Sequence, residues 1–259
     1  PETDRETNRV SIVLRAEPSR RAYVRRILIS GNNRTRDEVI RREFRQYEAS
    51  WYDAEKIKLS RDRVDRLGYF TNVGIETQDV AGSPDQVDLV INVDEKPTGS
   101  LQLGAGFSSA EKIALSFSIK QDNVFGSGNY LGVDVNTSKY RRTLVFSTTD
   151  PYFTQSGISR TFDLYYRTDK PYQDQGGNYE LVTTGTSLRF GVPFSEVDTV
   201  FFGGGLEQTK IKPGTNIPAY YLSYADAYGY SSTGVPLTIG WSRDNRDSAL
   251  APNDGRYQR

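Results

Sequence analysis

Lys112-Ile113-Ala114-Leu115-Ser116-Phe117-Ser118-Ile119-Lys120 is the stretch that decides the fold. Ile113, Leu115, Phe117 and Ile119 fall on one face of an extended strand; Lys112, Ala114, Ser116, Ser118 and Lys120 fall on the other, because successive strand side chains point to opposite sides. The pattern repeats outward. Leu131, Val133 and Val135 oppose Gly132, Asp134 and Asn136, and comparable runs occupy 100–107, 142–149, 158–168, 185–193, 197–210 and 235–242. That makes about eight antiparallel strands, mostly near the ~9 to 11 residues that cross a bilayer at a tilt. Alternation by itself suits a soluble sandwich, with its apolar face turned to a second sheet, as well as a barrel, with that face turned to lipid. The connections favour the barrel. Turns 122–128, 150–157, 193–198 and 243–256 alternate with loops 108–111, 138–141, 169–184 and 210–234, which places the two longest loops on one side, as in outer-membrane barrels.

The rest of the 259 residues narrows the chemistry. Thirty-three basic and thirty-three acidic residues cancel, so no global charge argues for nucleic acid. The chain has no cysteine and no histidine, which excludes disulfides, thiolate zinc sites and every Ser-His or Cys-His nucleophile. No run approaches the ~18 to 20 apolar residues of a spanning helix, so a membrane role has to use strands. The absence of methionine, the start at Pro1 and the lack of a basic-then-apolar leader read as a piece of a longer protein.

Charge crowds the first hundred residues, then gives way to Gly, Tyr, Ser and Thr near Lys96-Pro97-Thr98-Gly99. Residues 9–18 read as a strand whose partners lie upstream. A strand over 23–30 ends at the turn cluster Gly31-Asn32-Asn33. Thr35 with Glu38 suggests a capped helix over 35–50, with Val39, Ile40, Phe44 and Tyr47 at helical spacing. A second helix is expected from Asp53 to Gly68, burying Ile57, Leu59, Val64 and Leu67. Strands at 73–80 and 87–93 follow around the turn at 81–85. The order is β-α-α-β-β.

These runs resemble the outer-membrane insertase and two-partner transporter superfamily, and within it the β-barrel assembly factors. Tyr23-Val24-Arg25-Arg26-Ile27, Gly31-Asn32-Asn33-Arg34-Thr35, Arg41-Arg42-Glu43, Leu67-Gly68-Tyr69-Phe70 and residues 82–88 match that family's last POTRA domain. Gln121-Asp122-Asn123 with Gly126-Ser127-Gly128, Asp150-Pro151-Tyr152-Phe153 and Gly240-Trp241-Ser242-Arg243-Asp244 leading to Asp254-Gly255 match its barrel. The resemblance implies the end of a preceding POTRA domain over 1–19, an α+β POTRA domain over 20–97, and over 98–259 the N-terminal half of an antiparallel transmembrane β-barrel of sixteen strands. It implies a Gram-negative outer-membrane location with the POTRA domain in the periplasm, and no enzyme activity, cofactor or metal. The implied partners are unfolded outer-membrane proteins, accessory lipoproteins, periplasmic chaperones and outer-membrane lipid. Alternatives are a two-partner secretion or autotransporter-assembly transporter, and a passive porin with Lys112, Lys120, Asp134 and Arg189 lining its lumen.

Three sets of residues are candidates for function. The first is the opening barrel strand, Ser100, Leu101, Gln102, Leu103, Gly104, Ala105, Gly106 and Phe107. It has to close against a strand from the other half, and its glycines pack weakly or merely permit curvature. In the resembled family this seam is a lateral gate that pairs with client strands. The second is a charged helix face, Arg36, Arg41, Arg42, Arg45 and Glu48, either a solvated face or a lipoprotein dock. The third is Val87, Leu89, Ile91 and Val93, taken as a POTRA edge strand for client pairing or as ordinary sheet. Asp244, Asp247 and Asp254 lack EF-hand spacing and suit a polar turn. Gly203-Gly204-Gly205 lacks phosphate-loop spacing and precedes no helix. Trp241, Tyr152 and Phe153 read as aromatics at the membrane boundary.

Overall fold

The computed structural model describes residues 2–4, 9–11, 21–109, 112–170, 178–246 and 254–259. Strands β1 (Glu2–Asp4) and β2 (Arg9–Ser11) form an antiparallel pair. The rest of the strand expected over 9–18 lies outside the described residues, as does Asp247.

The α+β domain comprises β3 (Tyr23–Ser30), α1 (Asp37–Arg41), β4 (Ser50–Trp51), α2 (Ala54–Arg66), β5 (Phe70–Val80) and β6 (Ser83–Glu95). Its sheet runs β4-β3-β6-β5, with β3 parallel to β6 and β5 antiparallel to it. A parallel pair needs a crossover, and the two helices supply it. They cover one face of the sheet, and Val24, Ile27, Val39, Ile40, Phe44, Val64, Leu89, Ile91 and Val93 form a continuous buried core. Asp53 caps α2 by accepting from the backbone N–H groups of Glu55 and Lys56, and Gly68 ends it in the left-handed region at φ 73°.

Two expectations need correction. The helix expected over 35–50 is the short α1, capped at Arg36 without a side-chain bond. Thr35 is buried, and its hydroxyl is committed to a tertiary contact, so it does not form a capping box. The strand carrying Val87, Leu89, Ile91 and Val93 is not an edge: β6 lies between β3 and β5 with all four side chains buried. Its parallel pairing with β3 places it inside the sheet, and β5 takes the outer position.

Beyond residue 98, strands β7 (Gly99–Ser108), β8 (Lys112–Gln121), β9 (Tyr130–Thr137), β10 (Arg141–Asp150), β11 (Ser159–Asp169), β12 (Asn178–Pro193) and β13 (Asp198–Asn216) form an antiparallel meander. Helix α3 (Ala219–Tyr228) and the short β14 (Ser231–Gly234) follow, then β15 (Leu237–Asp244) and β16 (Tyr257–Gln258). The expected strands are all present. The helix inside the 210–234 loop was not anticipated, because its tyrosine-rich sequence carries almost no amphipathic period.

Register puts the apolar residues on one surface. Leu101 pairs with Ile119, Ile119 with Val133, Val133 with Phe146 and Phe146 with Leu164, and Phe202 pairs with Ile239 further along. No second sheet covers them among the described residues: Leu103 is 76% exposed, Phe107 77%, Leu237 82% and Ile239 85%. The opposite face is polar and internally bonded. Ser118 donates to Asp134 at 2.6 Å, Tyr165 to Glu207 at 2.8 Å, and both Ser147 and Ser187 donate to Asp163. A sandwich buries its apolar face and wets the other. Here the apolar face lies bare, which is the arrangement of barrel strands in lipid. The sheet does not close: its path runs from β16 to β7.

Candidate functional site: the edge strand and the joint beneath it

Strand β7 pairs with β8 along its whole length and, among the described residues, with nothing on its other side. Its backbone therefore offers unpaired N–H and C=O groups along Ser100–Phe107, all of them exposed. The two glycines differ. A Cβ at Gly104 would lie 2.2 Å from the Ser116 Oγ, whereas one at Gly106 would meet nothing. Gly104 permits a close cross-strand approach, and Gly106 leaves the edge thinly packed.

Beneath β7 the α+β domain is fastened to the turns of the sheet. Only Lys96-Pro97-Thr98 separates β6 from β7, and this link is stapled: the Asp122 N–H donates to the Thr98 carbonyl at 3.1 Å, and Thr98 Oγ1 donates to the Asp122 carbonyl at 2.7 Å. The turn between β8 and β9 then presses on the domain. Asn123 Nδ2 donates to Thr35 Oγ1 at 2.8 Å, the Arg36 N–H donates to the Gly126 carbonyl at 3.0 Å, and Tyr69 Oη donates to the Gly128 carbonyl at 3.2 Å. Gly126 has φ 72°, and a Cβ there would lie 1.9 Å from the Arg34 carbonyl oxygen, so the contact requires glycine. Burial, reinforced by the charge of Asp122, pushes the Tyr69 phenol up to about 12.

The other three turns join in. Tyr152, from the β10–β11 turn, lies under the Arg42 guanidinium at 4.3 Å and accepts from Arg63 at 3.2 Å. Glu196, from the β12–β13 turn, takes Arg45 at 2.8 Å and Arg63 at 2.5 Å. Arg66 donates to the Arg246 carbonyl at 3.1 Å, next to β15. Arg63 is the centre of this network, with Glu43 at 2.7 Å as its buried partner. Burial opposes its charge, but Glu43, Tyr152 and Glu196 outweigh that and raise its pKa. Burial likewise pushes the Glu196 carboxyl up, and Arg45 and Arg63 overcome it to hold the group below its ordinary range.

The charged face read from sequence is thereby divided. Arg42 and Arg45 face the barrel turns, and Arg36 touches them through its backbone. Arg41 and Glu48 stay outside and serve β3: Arg41 donates to the Ile27 carbonyl at 2.8 Å, and Glu48 accepts the Ile27 N–H at 2.8 Å. The pair occupies both hydrogen-bonding groups of Ile27 that β3 would otherwise expose. Tyr152 packs into the joint against Arg42 and Arg63, whereas Trp241 lies on the apolar face opposite Val200. The joint residues Thr35, Glu43, Arg63, Tyr69, Asn123 and Glu196 were missed as a group. They are scattered between positions 35 and 196, and no local pattern joins them.

The family model for the Omp85 superfamily domain matches residues 123–259, and the POTRA model, described as a surface antigen variable number repeat, matches residues 22–96. The chain is 38% identical to the outer membrane protein assembly factor BamA of Neisseria meningitidis over 98% of its length and 33% of the relative's. It is 29% identical to that of Nitratidesulfovibrio vulgaris over 91% of its length and 29% of the relative's. It therefore spans about a third of the curated relatives it matches. The crystal structure of BamA from Haemophilus ducreyi lacking POTRA domains 1–3 superposes with a TM-score of 0.77 at 27% identity, covering 99% of this chain and 51% of that one. CdiB from Acinetobacter baumannii has the same fold at 11% identity, with a TM-score of 0.51 over 86% of this chain and 42% of that one.

Proposed function

The chain belongs to the Omp85 superfamily, and from that premise we propose that it works as part of an outer-membrane protein assembly factor, with its POTRA domain in the periplasm and its strands in the bilayer. Unfolded outer-membrane proteins are its clients, and strand β7 is where they engage. The observation that supports this is the position of β7 at one end of the described sheet, paired with β8 alone among the described residues and carrying the apolar face that lies bare. A client strand that pairs with β7 satisfies its outer backbone groups and extends the lipid-facing surface in the same step. The energy comes from the client's own folding, so the site needs no nucleotide and no bond-making residue.

Cysteines at Leu101 or Leu103 should crosslink to the terminal strand of a client arrested during assembly, and depletion of the full-length protein should leave many unrelated barrels unfolded in the periplasm. Absence of any crosslink, with assembly otherwise intact, would remove β7 from the mechanism. Accessory lipoproteins and periplasmic chaperones are partners in the same proposal. With Arg42 and Arg45 turned to the barrel, a lipoprotein would dock on Arg36, Arg41 and Glu48. Reversing Glu48 without losing copurified lipoprotein would refute that dock.

A further inference from the structure

The POTRA domain and the foot of β7 enclose a cavity of about 630 Å³ that the client-pairing mechanism does not use. Its wall includes Arg34, Glu95, Lys96, Gly99, Gln121 and Phe125. Gly99 pairs with Gln121, two residues along from the pair Leu101 and Ile119, and a Cβ on Gly99 would lie 2.5 Å from the Gln121 Oε1. Gly99 and Gln121 thus point the same way as the bare apolar side chains above them. One wall of the cavity therefore lies on the lipid-facing side of the sheet, at the rim nearest the POTRA domain.

Phe125 is the unusual member. It is 92% exposed, and its backbone sits in the left-handed region at φ 51°, a conformation strained for a non-glycine residue. The turn around it is held rigidly, by the contact of Gly126 with Arg34 and by Asn123 bonded to Thr35. The fold therefore spends strain to present a large ring to its surroundings. Beside it, neither the Arg34 guanidinium nor the Lys96 ammonium forms a salt bridge among the described residues. Of the nearby acids, Glu95 accepts from the N–H groups of Arg34 at 2.9 Å and Thr35 at 2.7 Å; burial pushes its carboxyl up, and these bonds with the Arg34 charge hold it below its ordinary range. Asp122 acts on Tyr69, another member of the wall, and Asp94 lies by Asn72. Two cations without a salt bridge among the described residues, an exposed ring and an apolar wall directly above match the parts of a glycerophospholipid: phosphate, interface and acyl chains.

We infer that this cavity is a phospholipid headgroup site on the periplasmic leaflet, with Phe125 inserted at the interface and Arg34 and Lys96 on the phosphate, immediately below the strand that receives clients. A lipid seated there anchors the POTRA domain to the leaflet next to β7. The inference rests on the proposed membrane placement of the strands, so its test has to separate the two.

Full-length protein carrying a single bimane-labelled cysteine at Phe125, Leu103 or Lys139 is reconstituted into vesicles of phosphatidylethanolamine and phosphatidylglycerol in which part of the lipid is brominated. Quenching is expected at 103, on the apolar face, and at 125, and not at 139 in the outer loop. Adding Arg34→Gln and Lys96→Gln should weaken the response at 125 to phosphatidylglycerol by roughly 30-fold in lipid concentration, from two surface cations, and leave position 103 unchanged. Inorganic phosphate should not compete. If 103 is quenched while 125 behaves like 139, or if the two substitutions change nothing at 125, the lipid site is wrong and the barrel placement stands. If 103 is not quenched, both fail together.

Discussion

The two halves of this chain handle apolar side chains in opposite ways. In the POTRA domain, Leu89 and Ile91 are fully buried beneath α1 and α2. In the barrel sheet, Leu103, Phe107 and Ile239 stand bare on a surface that no other described residue covers. Both regions show a period of two, so the difference lies in the solvent each surface is built for. One closes its core in water, and the other leaves its core to be completed by lipid.

That contrast can be broken most directly in the two cores. Leu89→Ala should destabilise the POTRA domain by about 2–5 kcal/mol in denaturant titrations of the full-length protein. Leu103→Ala, which empties no cavity, should change the same measurement by no more than about 0.5 kcal/mol. Equal effects would mean that the sheet has a hidden packed core. The lipid side is probed by Phe117→Arg, expected to cost about 2–4 kcal/mol for folding into vesicles if Phe117 lies near the midplane, against a small effect of Asn136→Arg on the polar face. A reversed order would place the polar face in the membrane.

The joint between the regions sharpens the comparison, because it joins a domain built for water to a sheet built for lipid. Gly126→Ala should loosen it by about 1–3 kcal/mol, from the left-handed backbone alone before the clash with Arg34 is added. Gly82→Ala, at φ 83° with nothing within 4 Å, should cost about 1 kcal/mol and leave the docking intact. Spin-label distances between Lys58 on α2 and Lys139 in an outer loop would broaden for the first variant only.

A smaller effect on the joint belongs to Glu196. Its carboxyl titrates below the ordinary value of 4.5. Its contribution to docking is therefore complete above that value and is lost as pH falls through the lowered one. Glu196→Gln should remove this acid dependence and about 1 kcal/mol or less of docking, since the pair is partly solvated. The same spin-label distances, followed on acidification, would show it.

Much of this was legible in the residues. The strands of the barrel half, the α2 cap at Asp53 and the turn glycines follow from local periodicity and backbone chemistry, which a short window contains. The first helix was misjudged because Thr35 had a stronger use elsewhere, as acceptor for Asn123 across 88 positions of sequence. The expected edge strand proved central because strand order is set by the crossover connection, which alternation along one strand does not reveal. The charged face divided because Arg42 and Arg45 met Tyr152 and Glu196, residues that no local pattern brings near them.

The sequence alone therefore determined which residues form strands, which face of each is apolar, and where the charged domain gives way to the sheet. These depend on side-chain alternation and turn propensity, properties of neighbours in the chain. Only the tertiary structure decided that the apolar face is uncovered among the described residues, that β7 ends the described sheet, and that Arg63 ties the POTRA domain to the barrel turns. Burial, pairing and ion contacts of that kind are made between residues far apart in sequence, and they exist only once the chain has folded.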